Sequence, residues 1–363
     1  MFSILLSILS LSLLIILHEA GHFFSARRLG VKVEEFNFGY PPRLFSFKRN
    51  GIVYSFNAVP FGGYVVIFDE EGKNKSTPGS FSSQSFLKRA IILLGGPVLN
   101  IIIAFFIFTG LFWKGMPVYL LPPSYSKDIV SPVIISEINP QSPADLAGLK
   151  KGDKILSLKY LENTYSINSI EELQEKINEF KGKEIKLVID RQKVEKEFII
   201  TPRVNPPAGE GSLGLALEVK ADLKYPLSKA VFKAIEFLGV ISRETMKGLI
   251  SSFGKLFTKG DIKEFVGPVG IVVIATKGFD IGISYGFYIL GIISFGLAVF
   301  NFLPIPAVDG GRILFLLIEK LKKKPLNRRT EEIVNQVCFY SIIILSVFVT
   351  AKDINLFLIK RSF

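Results

Sequence analysis

A polar motif at the end of an uncharged apolar segment constrains the fold of this chain more than any other feature. Residues 2–17 contain only Leu, Ile, Phe and Ser, and His18-Glu19-Ala20-Gly21-His22 follows at once. In an H-E-x-x-H motif on a helix, the two imidazoles share one face and can bind one Zn²⁺, while the glutamate can accept a proton from water. These are the only two histidines among 363 residues. The motif predicts a zinc site, against the plainer alternative that two histidines only end an anchor helix.

The apolar segment and the motif together predict a first membrane span. Residues 2–24 provide roughly 20 helical residues, the length that crosses a bilayer. A cleavable signal peptide is the alternative, but Met1–Ser3 has no basic residue and the small residues suited to cleavage lie beyond the polar motif. Arg27, Arg28 and Lys32 follow the span. The positive-inside rule therefore predicts that this end is cytoplasmic and the N-terminus is outside.

Composition indicates an integral membrane protein that carries a water-exposed domain. Hydrophobic residues make up 49% of the chain, and the mean hydropathy of +0.40 is too high for an ordinary soluble protein. The net charge of +12 comes from basic residues scattered along loops, without a nucleic-acid motif. It predicts attraction to anionic lipid and no nucleic-acid partner. The single cysteine, Cys338, excludes an intrachain disulfide and a C-x-x-C metal site.

Residues 36–68 change to the alternating pattern of a small β-sheet. Apolar side chains alternate on both sides of Asn50-Gly51, a pair that favours a two-residue hairpin turn. Residues 60–63 interrupt the pattern before residues 64–68 resume it, and a linker rich in Gly, Lys and Ser covers residues 70–80. The many aromatic residues directly after a membrane helix favour a membrane-associated sheet. A soluble hairpin with an apolar face is the alternative.

A second span is predicted over residues 90–113. Lys88 and Arg89 precede it, so the span starts in the cytoplasm and ends outside. Gly95–Pro97 and Asn100 interrupt its cytoplasmic half. Small residues let another helix approach closely, and Pro and Asn are tolerated in a span only where their polar neighbours are satisfied. This part therefore either lines a site or forms a kinked packing helix.

Residues 130–219 are soluble in character and predict an α+β domain. Residues 142–149 predict a short capped helix, a strand follows over residues 154–159, and Ser169 starts a helix with apolar residues at helical spacing. The unit closes with two predicted strands, over residues 184–189 and residues 197–201.

Within this domain, S-P-A-D-L-A-G-L-K-K-G-D-K-I-L-S over residues 142–157 resembles PDZ domains of the bacterial arrangement. Such domains add a peptide as a strand at a sheet edge and hold its terminal carboxylate with backbone amides. The resemblance makes one short segment the candidate for the loop that holds the carboxylate: Ser212, Leu213, Gly214 and Leu215. The alternative is that this segment is only a strand that closes the domain.

The rest of the chain predicts one interfacial helix and two further spans. Residues 223–255 have apolar positions at helical spacing with basic residues between them, which favours an amphipathic helix on the membrane over a soluble core-facing helix. Residues 267–275 are too short to span and suggest a re-entrant piece. Spans over residues 285–303 and residues 333–349 complete a C-terminal membrane part, residues 265–363.

These four spans place both termini and the domain of residues 130–219 outside the cytoplasm. Basic residues from Lys320 to Arg329 mark the end of the third span as cytoplasmic. His18 and Asp309 then both lie at cytoplasmic helix ends, although they are far apart in sequence.

Asp309 is the predicted third zinc ligand. A catalytic zinc takes three protein ligands and one open position, and this chain has no third histidine and no cysteine pair. Asp309 lies between Pro306 and Gly310-Gly311, which unwind the helix, and an acid beside a membrane is a functional candidate by default. The alternative, compatible with the first, is that Asp309 caps a helix that begins near Gly311.

Together these motifs resemble the site-2 protease family of intramembrane zinc proteases, most closely the bacterial regulator-of-sigma-E protease type with a single PDZ domain. The resemblance covers nearly the whole chain and rests on H-E-A-G-H at residues 18–22, G-G-P-V-L-N at residues 95–100, the PDZ-like stretch, and N-F-L-P-I-P-A-V-D-G at residues 301–310. Val308 replaces the leucine common before the family's Asp-Gly, and some relatives carry two PDZ units.

The resemblance implies a multi-span α-helical membrane protein of about four spans, with a membrane-associated β-hairpin sheet and an inserted α+β PDZ domain. It implies an intramembrane zinc endopeptidase in which His18, His22 and Asp309 bind Zn²⁺ and Glu19 is the general base. It also implies that further residues contact the substrate: Asn301, Pro304, Pro306, Tyr64 and Asn100.

The expected substrate is a single-span membrane protein such as an anti-sigma factor, cut in the bacterial cytoplasmic (inner) membrane after a first extracytoplasmic cut. A membrane helix has its backbone hydrogen bonds satisfied, and lipid contains no water. Hydrolysis therefore needs a hydrated metal near the bilayer edge and a β edge that pairs with the opened backbone. The PDZ-like domain is expected to exclude substrates whose outer part is intact.

Three other functions are weighed against this one. A catalytically inactive zinc-binding scaffold that recruits partners through a PDZ domain is disfavoured, because a structural zinc site needs no Glu19. A transporter is disfavoured by four spans without internal repeats. A membrane-anchored soluble metalloprotease would place His18 and His22 outside the bilayer, which the continuous apolar segment opposes.

Overall fold

The computed structural model describes residues 2–70, 77–122, 125, 132–207, 209–219, 222–324 and 326–359. The chain forms two compact units, one of Met1–Leu111 with Val231–Phe363 and the other of Phe112–Ala230. The principal elements follow in the order α1 Phe2–Arg28, β1 Val33–Arg49, β2 Ile52–Ile67, α2 Phe86–Lys114, β3 Met116–Pro117, β4 Val133–Ile138, α3 Pro143–Leu146, β5 Lys154–Tyr160, β6 Asn163–Ser166, α4 Ile170–Glu179, β7 Ile185–Arg191, β8 Val194–Ile200, β9 Leu215–Val219, β10 Asp222–Leu223, α5 Leu227–Lys259, α6 Pro268–Ile281, α7 Ile283–Phe302, α8 Asp309–Lys322 and α9 Arg328–Asp353.

Four helical segments of the described chain are long and apolar enough to cross a membrane, as the sequence predicts. They are Phe2–Arg28, Phe86–Lys114, Ile283–Phe302 and Arg329–Phe357. Most run beyond the predicted spans, because basic residues at their ends continue the helix past the apolar part. A protein with these four helices is a membrane protein.

Strands β1 and β2 form the predicted sheet, and the two-residue turn is confirmed. Arg49 pairs with Ile52, and both turn residues, Asn50 and Gly51, have positive φ. The register folds the hairpin back on itself, so that residues 35–38 of β1 lie opposite two separate segments of β2, residues 53–56 and residues 63–66. A single strand crosses the predicted interruption at residues 60–63, where the register changes.

One face of this sheet packs into the membrane unit, and the other presents apolar side chains. Phe36, Ile52 and Ile67 are buried in a core with residues of α1, α2 and α8. A second set of sheet residues is exposed: Tyr40, Leu44, Phe45, Phe47, Phe56 and Val59. Apolar side chains of this kind are stable in lipid rather than water, which supports the predicted contact with the membrane.

The predicted re-entrant piece is part of a longer helix, α6, held at its N-terminus by the last span. The buried carboxylate of Asp353 accepts hydrogen bonds from the N–H groups of Gly267 at 2.8 Å and Gly270 at 3.1 Å. N–H groups at the start of a helix have no carbonyl partner within the helix, and a negative charge is favourable there. The amphipathic helix predicted over residues 223–255 is α5, Leu227–Lys259.

The unit of residues 112–230 contains a sheet in the order β8-β7-β5-β4-β9, with β6 paired to β5. Ser142 and Ser169 cap α3 and α4 through their side chains, as predicted. Strand β6 is absent from the prediction, because the turn before it uses Leu161 with φ of 53° rather than Gly or Asn. Strand β4 is also absent from it, and its partner β9 begins at Leu215, the last residue of the segment for which a domain-closing strand is the alternative.

The domain is further held by an ion pair between the buried Asp153 and the partly exposed Arg191. Arg191 donates from Nε to Oδ1 at 2.7 Å and from Nη2 to Oδ2 at 2.7 Å, and the Lys150 N–H donates to Oδ2 at 2.8 Å. Burial raises the pKa of Asp153, but the hydrogen bonds from Arg191 and Lys150 outweigh it and hold that pKa below the usual value.

Candidate metal and catalytic site

The two histidines of α1 face each other in the buried interior, as the motif spacing predicts. His22 Nε2 lies 3.3 Å from His18 Nε2, and the ring planes cross at 76°. Both side chains are buried within α1. The four-residue spacing on a helix produces this convergence.

Asp309 joins them from α8. Its Oδ2 lies 3.2 Å from His18 Nε2 and 3.4 Å from His22 Nε2, and within the described part of the chain this buried oxygen makes no hydrogen bond of good geometry. Among the described residues, His18, His22 and Asp309 form the group whose donor atoms all lie within 4.8 Å of one another. Two imidazoles and a carboxylate whose ligand atoms converge in this way fit a tetrahedral zinc with one open position.

The loop before α8 explains how Asp309 reaches the histidines. Ala307 has φ of 77°, and its N–H donates to Oδ1 of Asn335 in α9 at 3.1 Å. A Cβ on Gly310 or Gly311 would collide with the backbone carbonyls of Leu303 or Ile305, so only glycine permits this close return of the chain. The alternative in which Asp309 caps a helix near Gly311 is wrong, because α8 begins at Asp309 and its N-cap is Val308.

Glycines on α2 make room for the histidines. A Cβ on Gly96 would lie 2.7 Å from His18 Nε2 and closer still to His22 Nε2. A Cβ on Gly21 of α1 would collide with the carbonyl of Gly95. The two helices therefore cross at backbone contact, as small residues allow, and the surface of α2 forms one wall of the site.

The second nitrogen of each imidazole has its own partner on α2. His22 Nδ1 lies 2.9 Å from the carbonyl oxygen of Ile92, and His18 Nδ1 lies 3.1 Å from Nδ2 of Asn100. Such partners orient the ring and determine which nitrogen carries the proton. The prediction that Asn100 contacts substrate is corrected, because its side chain is fully buried against His18.

Glu19 contacts the hairpin sheet. Its Oε2 accepts a hydrogen bond from the N–H of Val65 at 3.2 Å. Val65 pairs with Phe36 on its other side, so this N–H points away from the sheet, toward α1. Residues 63–67 are therefore an open sheet edge that faces the glutamate of the motif.

The other predicted substrate residues are Tyr64, Asn301, Pro304 and Pro306. Tyr64 stacks on Tyr40 with ring centroids 6.0 Å apart. Asn301 donates from Nδ2 to the carbonyl of Leu297 at 3.0 Å, within its own helix. Pro304 is exposed and Pro306 is half-buried in the loop before Asp309. Their contact with substrate stays a prediction.

The proposed peptide loop, Ser212–Leu215, lies beside α4 in the other unit. Leu213 is buried and its carbonyl accepts from the N–H of Ala144 at 3.1 Å. A groove between this loop and α4 is lined by apolar and polar side chains, among them Gln174, Ile177, Asn178, Leu215 and Leu217. The segment thus leads into strand β9 and also borders a groove.

Four contacts of the site are not predicted from the sequence. Gly96 is part of a predicted small-residue stretch, and its closeness to the two histidines would follow from aligning that stretch with the first span. The backbone groups of Ile92 and Val65, and the Asn335 side chain, carry no local signal, because their partners are distant in sequence.

Comparison with known proteins covers nearly the whole chain. The sequence profile of Peptidase family M50 matches residues 6–345. A protein of Nostoc sp. with zinc metalloprotease in its name is 32% identical over 97% of this chain and 95% of its own length. A similarly named protein of Clostridium acetobutylicum is 30% identical over 97% of each chain, and the zinc metalloprotease RasP of Geobacillus kaustophilus is 26% identical over 98% of each. The chain therefore belongs to peptidase family M50, the site-2 proteases, and is a membrane zinc metalloprotease.

Proposed function

We propose that this protein is an endopeptidase that cleaves single-span membrane proteins within the membrane, with His18, His22 and Asp309 as zinc ligands and Glu19 as general base. The observation that carries the proposal is the convergence of these three donor groups within 4.8 Å at the end of an apolar span. Zinc held there supplies a Lewis acid and lowers the pKa of a water molecule.

The chain's own residues supply the proton transfers and the shape of the site. Glu19 accepts a proton from the attacking water and returns it to the leaving amine, the task of a general base that then acts as an acid. Gly96 keeps the space in front of the imidazoles free. Asn335 holds the loop that precedes Asp309 through the N–H of Ala307.

The open edge at residues 63–67 is the proposed binding site for the unwound substrate. In an antiparallel pair, alternate residues point their N–H and C=O groups outward. Because the Val65 N–H points outward to Glu19, Gly63 and Ile67 have outward groups as well. An extended substrate strand at this edge would present its carbonyl beside Glu19, and Tyr64, Asn301, Pro304 and Pro306 are proposed to line its path.

The proposed location is the bacterial cytoplasmic membrane, with the site near its cytoplasmic side. Basic ends of α2 and α8 support one shared side, since Arg89 pairs with Glu319 at 3.3 Å and Lys320 lies over the ring of Phe86. The positive-inside rule assigns this side to the cytoplasm. The proposed substrates include anti-sigma factors that a first extracytoplasmic cut has already shortened.

Residues 130–219 are proposed to form a PDZ domain that excludes substrates with an intact outer part. The groove beside Ser212–Leu215 supports peptide binding. Deletion of residues 130–219 is expected to permit cleavage of intact single-span substrates. If the deleted protein keeps the selectivity of the full chain, the exclusion role is wrong.

The ligand assignment is tested by measuring zinc content and cleavage of single-span peptides for wild type and Asp309→Ala. Loss of a carboxylate ligand should remove zinc and activity together. Asp280→Asn, at an exposed acid of α6, is the matched control and should change neither. Retention of stoichiometric zinc by Asp309→Ala would contradict the ligand set.

A further inference from the structure

Asn100 of α2 lies against the face of His18 that points away from Asp309. Its side chain is fully buried, its Nδ2 lies 3.1 Å from His18 Nδ1, and its Oδ1 makes no hydrogen bond with the described residues. The backbone carbonyl of Asn100 accepts from Ser294 Oγ at 2.8 Å, which anchors this turn to α7. The amide is thus fixed beside one ring nitrogen and is inaccessible to a substrate.

The two histidines have partners of different kinds. The Ile92 carbonyl can only accept, so His22 carries its proton on Nδ1 and keeps an Nε2 lone pair for a metal. Asn100 can donate from Nδ2 or accept through Oδ1, and a half-turn about its Cβ–Cγ bond exchanges the two. As oriented, Nδ2 donates to His18 Nδ1, which places the proton of His18 on Nε2, facing Asp309 Oδ2 at 3.2 Å.

Metal binding requires the other tautomer of His18. An imidazole that gives its Nε2 lone pair to zinc carries its proton on Nδ1, and this proton needs an acceptor. After the half-turn, Oδ1 of Asn100 occupies that position. The amide therefore satisfies both tautomers, which neither a carboxylate nor an apolar side chain can do.

We propose that Asn100 is a positioning residue whose amide accepts the Nδ1 proton of His18 when zinc is bound and turns over when zinc is lost. The inference rests on the proposed ligand role of His18. It assigns Asn100 a role in zinc affinity, and it makes His18 the histidine whose tautomer changes on loading while that of His22 stays constant.

Zinc affinity of the full-length protein in detergent, measured by competition with a chelator, tests this role in three variants. Asn100→Leu and Asn100→Ala lack an acceptor and should bind zinc about 10- to 100-fold more weakly. Asn100→Asp keeps an acceptor for Nδ1 and should retain the affinity. Gly110→Ala, in the same helix at a position where a Cβ meets no atom within 4 Å, is the control and should bind zinc as wild type does. Wild-type affinity in Asn100→Leu, or equal loss in Asn100→Asp and Asn100→Ala, would overturn the proposal.

Ring nitrogen NMR gives a readout independent of zinc affinity and activity. Because the chain contains only two histidines, protein labelled with ¹⁵N-histidine and purified without a histidine tag reports these two rings alone. Metal-free wild type should show His18 protonated on Nε2, and metal-free Asn100→Asp should show it on Nδ1. An identical His18 tautomer in wild type, Asn100→Asp and Asn100→Leu would contradict the role of the amide. This metal-free result stands even if Asp309→Ala shows that the ligand set is wrong, so the two failures are distinguishable.

Discussion

The N–H of Val65 donates a hydrogen bond to Oε2 of Glu19 at 3.2 Å. This bond joins the glutamate of the H-E-x-x-H motif to the open edge of the hairpin sheet. It places the proposed general base where an added substrate strand would lie. The proposed proton transfer uses Glu19 of α1, and the proposed substrate pairing uses the sheet edge at Val65. These two elements meet at the Glu19 carboxylate.

Replacement of Glu19 by glutamine should separate these two roles. A glutamine oxygen still accepts from the Val65 N–H, so the sheet keeps its place, but the amide cannot accept the proton of water. We expect cleavage of a single-span peptide to fall by about 10²- to 10⁴-fold, the usual contribution of a general base. Zinc content should equal that of wild type. Cleavage at the wild-type rate by the zinc-loaded variant would show that another group is the base.

The space kept by Gly96 predicts a strong effect of a single methyl group. In Gly96→Ala the Cβ would lie 2.7 Å from His18 Nε2 and closer to His22 Nε2, so the imidazoles must shift. A displacement of about 1 Å in a catalytic group costs about 10²-fold in rate. We expect that loss of cleavage, together with weaker zinc binding.

Gly110 offers the matched control in the same helix, because a Cβ there would meet no atom within 4 Å. Gly110→Ala should leave zinc and cleavage unchanged and should stabilise the helix by at most about 1 kcal/mol. Equal behaviour of the two alanine variants would refute the steric role of Gly96.

The buried carboxylate of Asp353 should be a major stabilising contact between α9 and the start of α6. Asp353→Leu leaves the N–H groups of Gly267 and Gly270 without their acceptor, and unmatched buried donors of this kind cost about 1–3 kcal/mol each. We expect a lower unfolding temperature in detergent. Asp353→Asn keeps an acceptor oxygen and should lose less stability than the leucine variant; equal losses would assign the effect to packing instead.

The ion pair of Asp153 and Arg191 predicts a dependence of stability on pH. The folded-state pKa of Asp153 lies below its unfolded value of about 3.9. The stabilisation is therefore complete above that value and is lost as the pH falls through the folded-state pKa. Asp153→Asn should destabilise the unit by about 1.5–3 kcal/mol at neutral pH, because Arg191 loses its charged hydrogen-bond partner.

Hydrogen exchange of strands β5 and β7 in the full-length protein measures this difference. The gap between wild type and Asp153→Asn should shrink as the pH falls below about 4. Glu197→Gln, which breaks an exposed pair with Lys159, should have little effect at any pH. A gap that stays constant down to the lowest pH would show that the charge of Asp153 does not carry the stabilisation.

Local signals in the sequence predict the elements of this protein well. The long apolar segments predict all four spans, because a length of apolar helix is sufficient to cross a bilayer. Asn50-Gly51 predicts its turn, because few residue pairs favour positive φ at both positions. The turn at Leu161 lacks such a signal, and strand β6 is missed for that reason.

The sequence by itself determined the groups that the candidate site can use: two histidines at helical spacing, a glutamate between them, and one acid between a proline and two glycines, at helix ends predicted to share one side of the membrane. Only the tertiary structure decided which groups support that chemistry. The closeness of Gly96 to both imidazoles, the bond from Val65 to Glu19, and the contact of Asn100 with His18 all join residues from different elements. Their physical basis is helix crossing and sheet register, which local residue patterns do not encode.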